Sequence, residues 1–251
     1  MSEITRLDPW QELKQFTAAR IAVGRTGASQ PTEAVLAFGV AHAQARDAVH
    51  LPFEVDTLRR QLEELDFSTL TVHSAADSRS TYLRRPDLGR SLSEASIAEL
   101  AACPEKGADI VFMVGDGLSS KAIHRNALPF LLEARGHLEQ AGFSIGPVVL
   151  AKQARVALGD GVGELLQARI VVVLIGERPG LSSPDSMGLY LTWQPRTGRM
   201  DSERNCISNI RPEGLPYPEA VRKLEWLIKE ASRLQLTGVG LKDQSDLLPD
   251  A

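Results

Sequence analysis

The stretch GERPG, residues 176–180, sets an acid and a base directly after the apolar run ARIVVVLI, and two prolines and two glycines bracket the ten residues that follow Ile175. Glu177 is a hydrogen-bond acceptor and Arg178 a fixed donor fork, while Pro179, Gly180 and Pro184 give the loop one shape rather than many. Such a loop is suited to holding a polar ligand; the alternative is a surface ion pair, which is worth little. A second candidate, GDGLSSK at 115–121, follows ADIVFMV, and its Gly115 and Gly117 allow close backbone approach, as at a nucleotide phosphate. It lacks the third glycine of a dinucleotide fingerprint, since Ser120 stands there, and GxxxxGK[ST] is absent. GDGVGE at 159–164 reads more simply as a glycine-rich turn feeding a helix. RNCISNIRPEG at 204–214 carries Cys206, a lone cysteine that reads as a small hydrophobe rather than a nucleophile. RSTYLRRPDLGR at 79–90 gathers four arginines around Tyr82, the pattern of a solvated face or of a grip on a partner's acids. The five histidines, 42, 50, 73, 124 and 137, fall in no ligand spacing, and no GxSxG elbow is present, so neither a protein-bound metal nor a hydrolytic nucleophile is expected.

The elements that must position these groups follow from hydrophobic periodicity. Three runs, 109–114, 147–151 and 170–175, are almost continuously apolar, as strands covered by helices on both faces must be. STLTVHSA and LYLTW are further strand candidates, and SEASIAELAA, KAIHRNALPFLLEARGHLEQ and GVGELLQA are the intervening helices. EAVRKLEWLIKEASRL places Val221, Leu224, Leu227, Ile228, Ala231 and Leu234 on one face. The alternation predicts an α/β protein with a Rossmann-like, doubly wound, mostly parallel sheet. Residues 1–66 read as a small helical region: a short helix to about Phe16, a glycine-containing loop, a helix over EAVLAFGVAHAQARDAVH and another over TLRRQLEEL, capped by Asp56. The expected division is 1–66 helical, 67–242 α/β ligand-binding domain and 243–251 polar fraying tail.

At 251 residues, 43% of them apolar and 24% charged, the chain is long enough to bury a sizeable core. Lys and Arg total 28 against 32 Asp and Glu, and a net charge of −4 provides no field to gather nucleic acid or anionic lipid. Cys103 and Cys206 lack the spacing of a zinc site or a disulfide framework. No apolar segment is long enough to cross a bilayer and no secretory leader is evident. A cytoplasmic protein is expected.

Taken in order, YLRRPDLGR, DGLSSKAIHRNALP, QARVALGDGVGELL, LIGERPGLSSPDSMGLYLTW and RNCISNIRPEG resemble the small (light) subunit of ethanolamine ammonia-lyase, over about residues 20–242. The resemblance implies an adenosylcobalamin-dependent ammonia-lyase that converts ethanolamine to acetaldehyde and ammonia by a radical route. It implies a partner, the barrel-forming large subunit, in a higher-order hetero-oligomer, with no catalytic residue expected on this chain. Three segments would touch the cobalamin, which places Val156, Glu177 and Cys206 at the cofactor, with Gly176, Pro179 and Gly180 shaping the loop. Val156 would pack, Glu177 would accept from an amide or hydroxyl, and Cys206 would be a small polarisable contact. The DxHxxG motif is absent, so the cofactor's own base is expected to stay on cobalt. The implied location is the cytoplasm, with a bacterial microcompartment as the alternative. Two other functions are compatible with the residues alone: an independent nucleotide-binding enzyme using GDGLSSK, and a structural subunit whose loops only dock a larger chain.

Overall fold

The computed structural model describes residues 5, 6 and 8–247. Six strands form the main sheet: β3 (Thr69–His73), β4 (Ile110–Gly115), β5 (Val148–Lys152), β6 (Ile170–Gly176), β7 (Met187–Trp193) and β8 (Asn205–Ile210). Their order is β3-β5-β4-β6-β7-β8. The first four are mutually parallel, whereas β7 runs antiparallel to β6 and to β8. Thus the sheet is mixed, parallel over four strands and antiparallel at one edge. A separate two-residue ladder pairs β1 (Thr5–Arg6) with β2 (Arg25–Thr26).

Among the described residues, seven α-helices surround this frame: α1 (Thr32–His50), α2 (Val55–Glu63), α3 (Arg79–Arg84), α4 (Glu94–Ala102), α5 (Ser120–Gln140), α6 (Leu158–Leu165) and α7 (Tyr217–Leu234). Alternate strand residues face opposite ways, which divides the core into two. Phe112, Val114, Leu150, Val172 and Leu174 pack with side chains of α2, α5 and α7. On the opposite face Met113, Val149, Val171 and Val173 pack with Leu100 of α4 and Leu158 and Val162 of α6. The continuous apolar runs of the sequence are the strands with a helical layer on each side, and every residue of β4 and β6 is buried.

Several boundaries differ from the sequence expectation. Residues Gln11–Phe16 form a 3-10 turn rather than an α-helix. Asp56 lies inside the first turn of α2 and is not its cap. The glycines of GDGVGE stand within α6 itself. A Cβ on Gly159 would clash with Val173 Cγ2, and one on Gly163 with the Pro195 ring, so these glycines let the helix sit close on β6 and the loop after β7. RNCISN, which shows no dominant periodicity, becomes edge strand β8, where only Ile207 and Ile210 are buried. Leu234 ends up exposed rather than on the buried face of α7. The segment 243–246 is held on α7 instead of lying free: Arg222 donates to the Ser245 carbonyl at 2.9 Å and Lys223 pairs with Asp246 at 2.8 Å. Residues 248–251 of the expected tail lie outside the described residues.

The close packing of α6 predicts opposite effects for the same substitution in two helices. Gly163→Ala should destabilise by about 1–3 kcal/mol through overpacking. Gly136→Ala, in an exposed turn of α5 where nothing lies within 4 Å of the new methyl, should stabilise by about 0.5–1 kcal/mol. Urea unfolding of the two variants beside the parent checks both signs.

Candidate functional site

In an open α/β sheet the carboxyl ends of the parallel strands are the usual ligand position, at the place where successive connections leave to opposite faces. Here that place lies between β5, followed by α6, and β4, followed by α5. Protein groups bridge it, and a cavity of about 260 Å³ remains beside them, lined in part by Arg79, Asp116, Lys152 and Gln153. Asp116, buried just past β4, accepts from the backbone N–H of Ala154 at 2.9 Å and of Gln153 at 3.1 Å, and from Arg79 Nη1 at 3.3 Å. Burial pushes this carboxyl's pKa upward, against the lowering effect of those donors. The glycines of GDGLSSK face protein rather than open space: Gly115 lies against the Ala154 methyl. Gly117, at φ +54°, lies against the Gly176 carbonyl, and a Cβ on Gly176 would strike the Ser119 carbonyl. Leu118 N–H donates to Gly176 O at 2.9 Å, and Ser119 caps α5 by accepting from Ala122 N–H at 3.2 Å while donating to Pro184 O at 2.8 Å. The space directly against Gly117 is thus taken by the backbone of β6, and Gly176 serves as a close-approach position.

The arginine-rich segment continues this clamp. Tyr82 is fully buried and donates to the Ala154 carbonyl at 3.1 Å. Its ring lies between two guanidinium groups, Arg79 at 4.8 Å and Arg155 at 4.3 Å from the centroid. Arg155 N–H donates to Gly89 O at 2.8 Å. Loop 153–157 is therefore pinned from three sides, and Arg155 and Val156 project from it. Arg155 Nε is buried and takes no partner.

Val156 lies beside the antiparallel edge of the sheet. Along β7, Leu189, Leu191 and Trp193 enter the core shared with α5 and α7, so Gly188, Tyr190 and Thr192 face the other way. Tyr190 pairs across the ladder with Cys206 of β8. No helix among the described residues covers this side of β8, where Cys206 and Ser208 are exposed. A cavity of about 350 Å³ opens here, lined by Arg90, Arg155, Val156, Ala157, Tyr190, Asp201, Arg204 and Cys206. Burial, together with the adjacent Cys206 and the Glu177 and Asp201 charges, raises the Tyr190 phenol above its usual range.

Glu177 reaches this face from the end of β6. Its Oε2 accepts from the Ser186 hydroxyl and, at 3.3 Å, from the N–H of Asn209. The β7–β8 pairing shifts register between Met187 and Leu189, and Asn209 takes φ 60° there, which turns its N–H toward Glu177 instead of into the ladder. Oε1 lies over Gly188, the one position in this register without a side chain to displace it, and takes no hydrogen bond among the described residues. Val156 and Cys206 thus share one cavity, with Glu177 at its flank. Pro179 and Gly180 stand farther along the loop, where Gly180 and Ser183 exchange backbone hydrogen bonds at 3.1 and 3.2 Å in a tight turn.

Residues 7–242 match the family profile of the ethanolamine ammonia-lyase light chain. The chain belongs to that family. Over 243 residues, 96% of its length, it is 54% identical to the ethanolamine ammonia-lyase small subunit of Pseudomonas fluorescens, covering 89% of that protein. It is 53% identical over the same span to the protein of that name from Ralstonia nicotianae, covering 90% of it. No helix among the described residues of this light chain is long and apolar enough to cross a membrane.

Three parts of the light-chain face escape motif reading: Tyr190, Arg155, and the pair Arg204–Asp160 beneath them. Alternation in LYLTW already separates Tyr190 from the core residues, and Arg155 adjoins Val156. The ion pair carries no local signal, because its partners are 44 residues apart. Arg204 donates to both oxygens of Asp160 at 2.5 and 2.7 Å, to Thr192 Oγ1 at 3.0 Å and to Arg199 O at 3.0 Å. Both side chains are almost wholly buried. They join α6 to the β7–β8 edge under the cavity.

Arg204→Met should therefore cost about 3–5 kcal/mol, because it strands the Asp160 carboxylate in the interior. The double variant Arg204→Met/Asp160→Leu should recover most of that loss. Chemical denaturation of the two variants tests whether the pair, rather than the arginine alone, is what matters.

Proposed function

We propose that this chain is the small subunit of an adenosylcobalamin-dependent ethanolamine ammonia-lyase, and that its β7–β8 face closes over the corrin where the large subunit meets it. The observation that carries this reading is the uncovered sheet face on which Val156, Cys206 and Glu177 converge, in a chain matched almost end to end by the light-chain family.

The residues fit such a group. A corrin is a broad disc rimmed with amides, and it needs a flat floor with acceptors and donors at the edge. The Tyr190 ring supplies the floor, and Glu177 Oε1, lying over Gly188, is an acceptor with no hydrogen-bond partner among the described residues. Cys206 and Ser208 present a thiol and a hydroxyl beside it, 3.5 Å apart. Arg155 adds a buried donor with nothing to donate to, an arrangement that a bound polar group would relieve.

When bound, the cofactor supplies radical chemistry that takes hydrogen from ethanolamine on its way to acetaldehyde and ammonia. This chain's own contribution is to hold and to exclude. Ser186 and Asn209 N–H fix the Glu177 carboxylate in one orientation, so an amide finds a pre-placed acceptor. Val156 and Tyr190 remove water from the cavity wall. The turn at Gly180–Ser183 keeps the flanking loop short and shaped. None of these groups is asked to move a proton.

Mixed with the large subunit of the same source, adenosylcobalamin and ethanolamine, the purified chain should be required for acetaldehyde release. Absence of product from folded, associated subunits would overturn the assignment. Within the assembled enzyme, Glu177→Gln should weaken cofactor binding by about tenfold, the loss expected for a charged hydrogen bond, while association of the subunits is unchanged. Absorbance titration with cobalamin reads the first effect and sedimentation the second.

A further inference from the structure

Residues 32–43 of α1 read TEAVLAFGVAHA, with one charged side chain among twelve positions. At about 100° per residue, Val35, Leu36, Phe38 and Val40 point to different sides of the helix rather than along one stripe. A helix that is apolar all round is one that is buried all round. Yet only Ala41 and Ala48 of α1 are buried, and exposure runs from 48% at Phe38 to 65% at Leu36. The 3-10 turn beside it adds Trp10, 66% exposed, and Phe16, 78% exposed. Lys14 of that turn and Ala34 and Ala37 of α1 line one groove, so the two pieces form a single surface. These six side chains together leave on the order of 700 Å² of apolar area in water, close to the ~800 Å² that each partner contributes to a standard interface.

The surface is anchored at two points on loops of the carboxyl edge. Before α1, Arg20 donates to Leu181 O at 3.2 Å, and Ser182 donates to Ala18 O at 3.1 Å. At its far end, Arg79, which also holds Asp116, donates to Val49 O at 2.8 Å. It is therefore continuous with the loop that carries Glu177, Pro179 and Gly180.

We infer that residues 10–40 are a docking arm for the large subunit, which lays an apolar surface across α1 and the 3-10 turn while meeting the cofactor face at the same edge. The inference rests on the proposed function for the identity of the partner. The exposed apolar side chains of the arm require an apolar counterpart, and its charged residues, Glu12, Lys14, Arg20, Arg25 and Glu33, nearly cancel and give no field for nucleic acid or an acidic peptide.

The test measures association of the full chain with the large subunit by sedimentation, using Leu36→Asp, Phe38→Asp and Phe16→Asp. Val239→Asp, on a side chain 81% exposed elsewhere, is the control. The arm variants should bind at least tenfold more weakly while their thermal unfolding matches the parent's, and the control should bind normally. Phe16 lies in a 3-10 turn with no buried residue, so it carries the test if substitution in α1 perturbs folding. If the parent binds and the arm variants bind as tightly, or the control weakens equally, the arm is not the interface and the functional assignment stands. If the parent binds no large subunit, the functional assignment itself fails and the arm's partner with it. If instead the isolated parent self-associates and the arm variants make it monomeric, the occupant is a second copy and the inference is overturned.

Discussion

One carboxylate organises the carboxyl-end side of the parallel strands in this protein. Asp116 takes two consecutive backbone N–H groups from the loop after β5 and a guanidinium from α3, and it does so in the interior, where an unpaired carboxylate would be costly. That bond set joins the two loops of the strand crossover into one unit. Tyr82 and Arg155 then stack against it. The crevice that α/β proteins ordinarily leave for a ligand is bridged here by the protein's own polar groups, and Arg155 and Val156 are carried sideways toward β7.

The second constraint is the reversal of direction after β6. A parallel continuation would bring a crossover helix over the new strands, whereas the β6–β7 and β7–β8 connections, residues 177–186 and 194–204, contain no α-helix. The helices α5 and α7 still cover one side, but β8 is left open on the other. Polar and small side chains collect there because nothing apolar is needed to meet a helix: Cys206 and Ser208 on β8, with Glu177 beside them. The site is thus a consequence of the topology. Its rigidity comes from below, where Arg204 and Asp160 connect the last covered element, α6, to the first uncovered strands.

The glycines divide between two uses that composition does not distinguish. Gly117 permits a left-handed backbone and a contact with β6 that no side chain would allow. In α6, Gly159 and Gly163 have ordinary helical backbone and are there for proximity, trading helix propensity for contact with the sheet. Motif reading had offered the first as a phosphate loop and the second as a turn, since glycine spacing records the need for closeness without naming what comes close.

What the sequence by itself determined is whatever local periodicity and a long ordered set of motifs can encode: the apolar strands, the helices between them, the α/β class, and the family. Glu177 stood out as a candidate from the composition of its own loop, whereas Val156 and Cys206 were offered only through the family resemblance, for nothing in their own spacing marks a site. What only the tertiary structure decided is which side of each segment is covered. NCISNI has two inward isoleucines and no clean alternation, so its pairing with β7 depends on a partner about fifteen residues away. The Arg204–Asp160 bond, the bridged crevice at Asp116 and the bare apolar helix at 32–43 likewise depend on residues brought together from distant parts of the chain. Periodicity reports that a residue wants burial or solvent; whether another element supplies it is a property of the assembled fold.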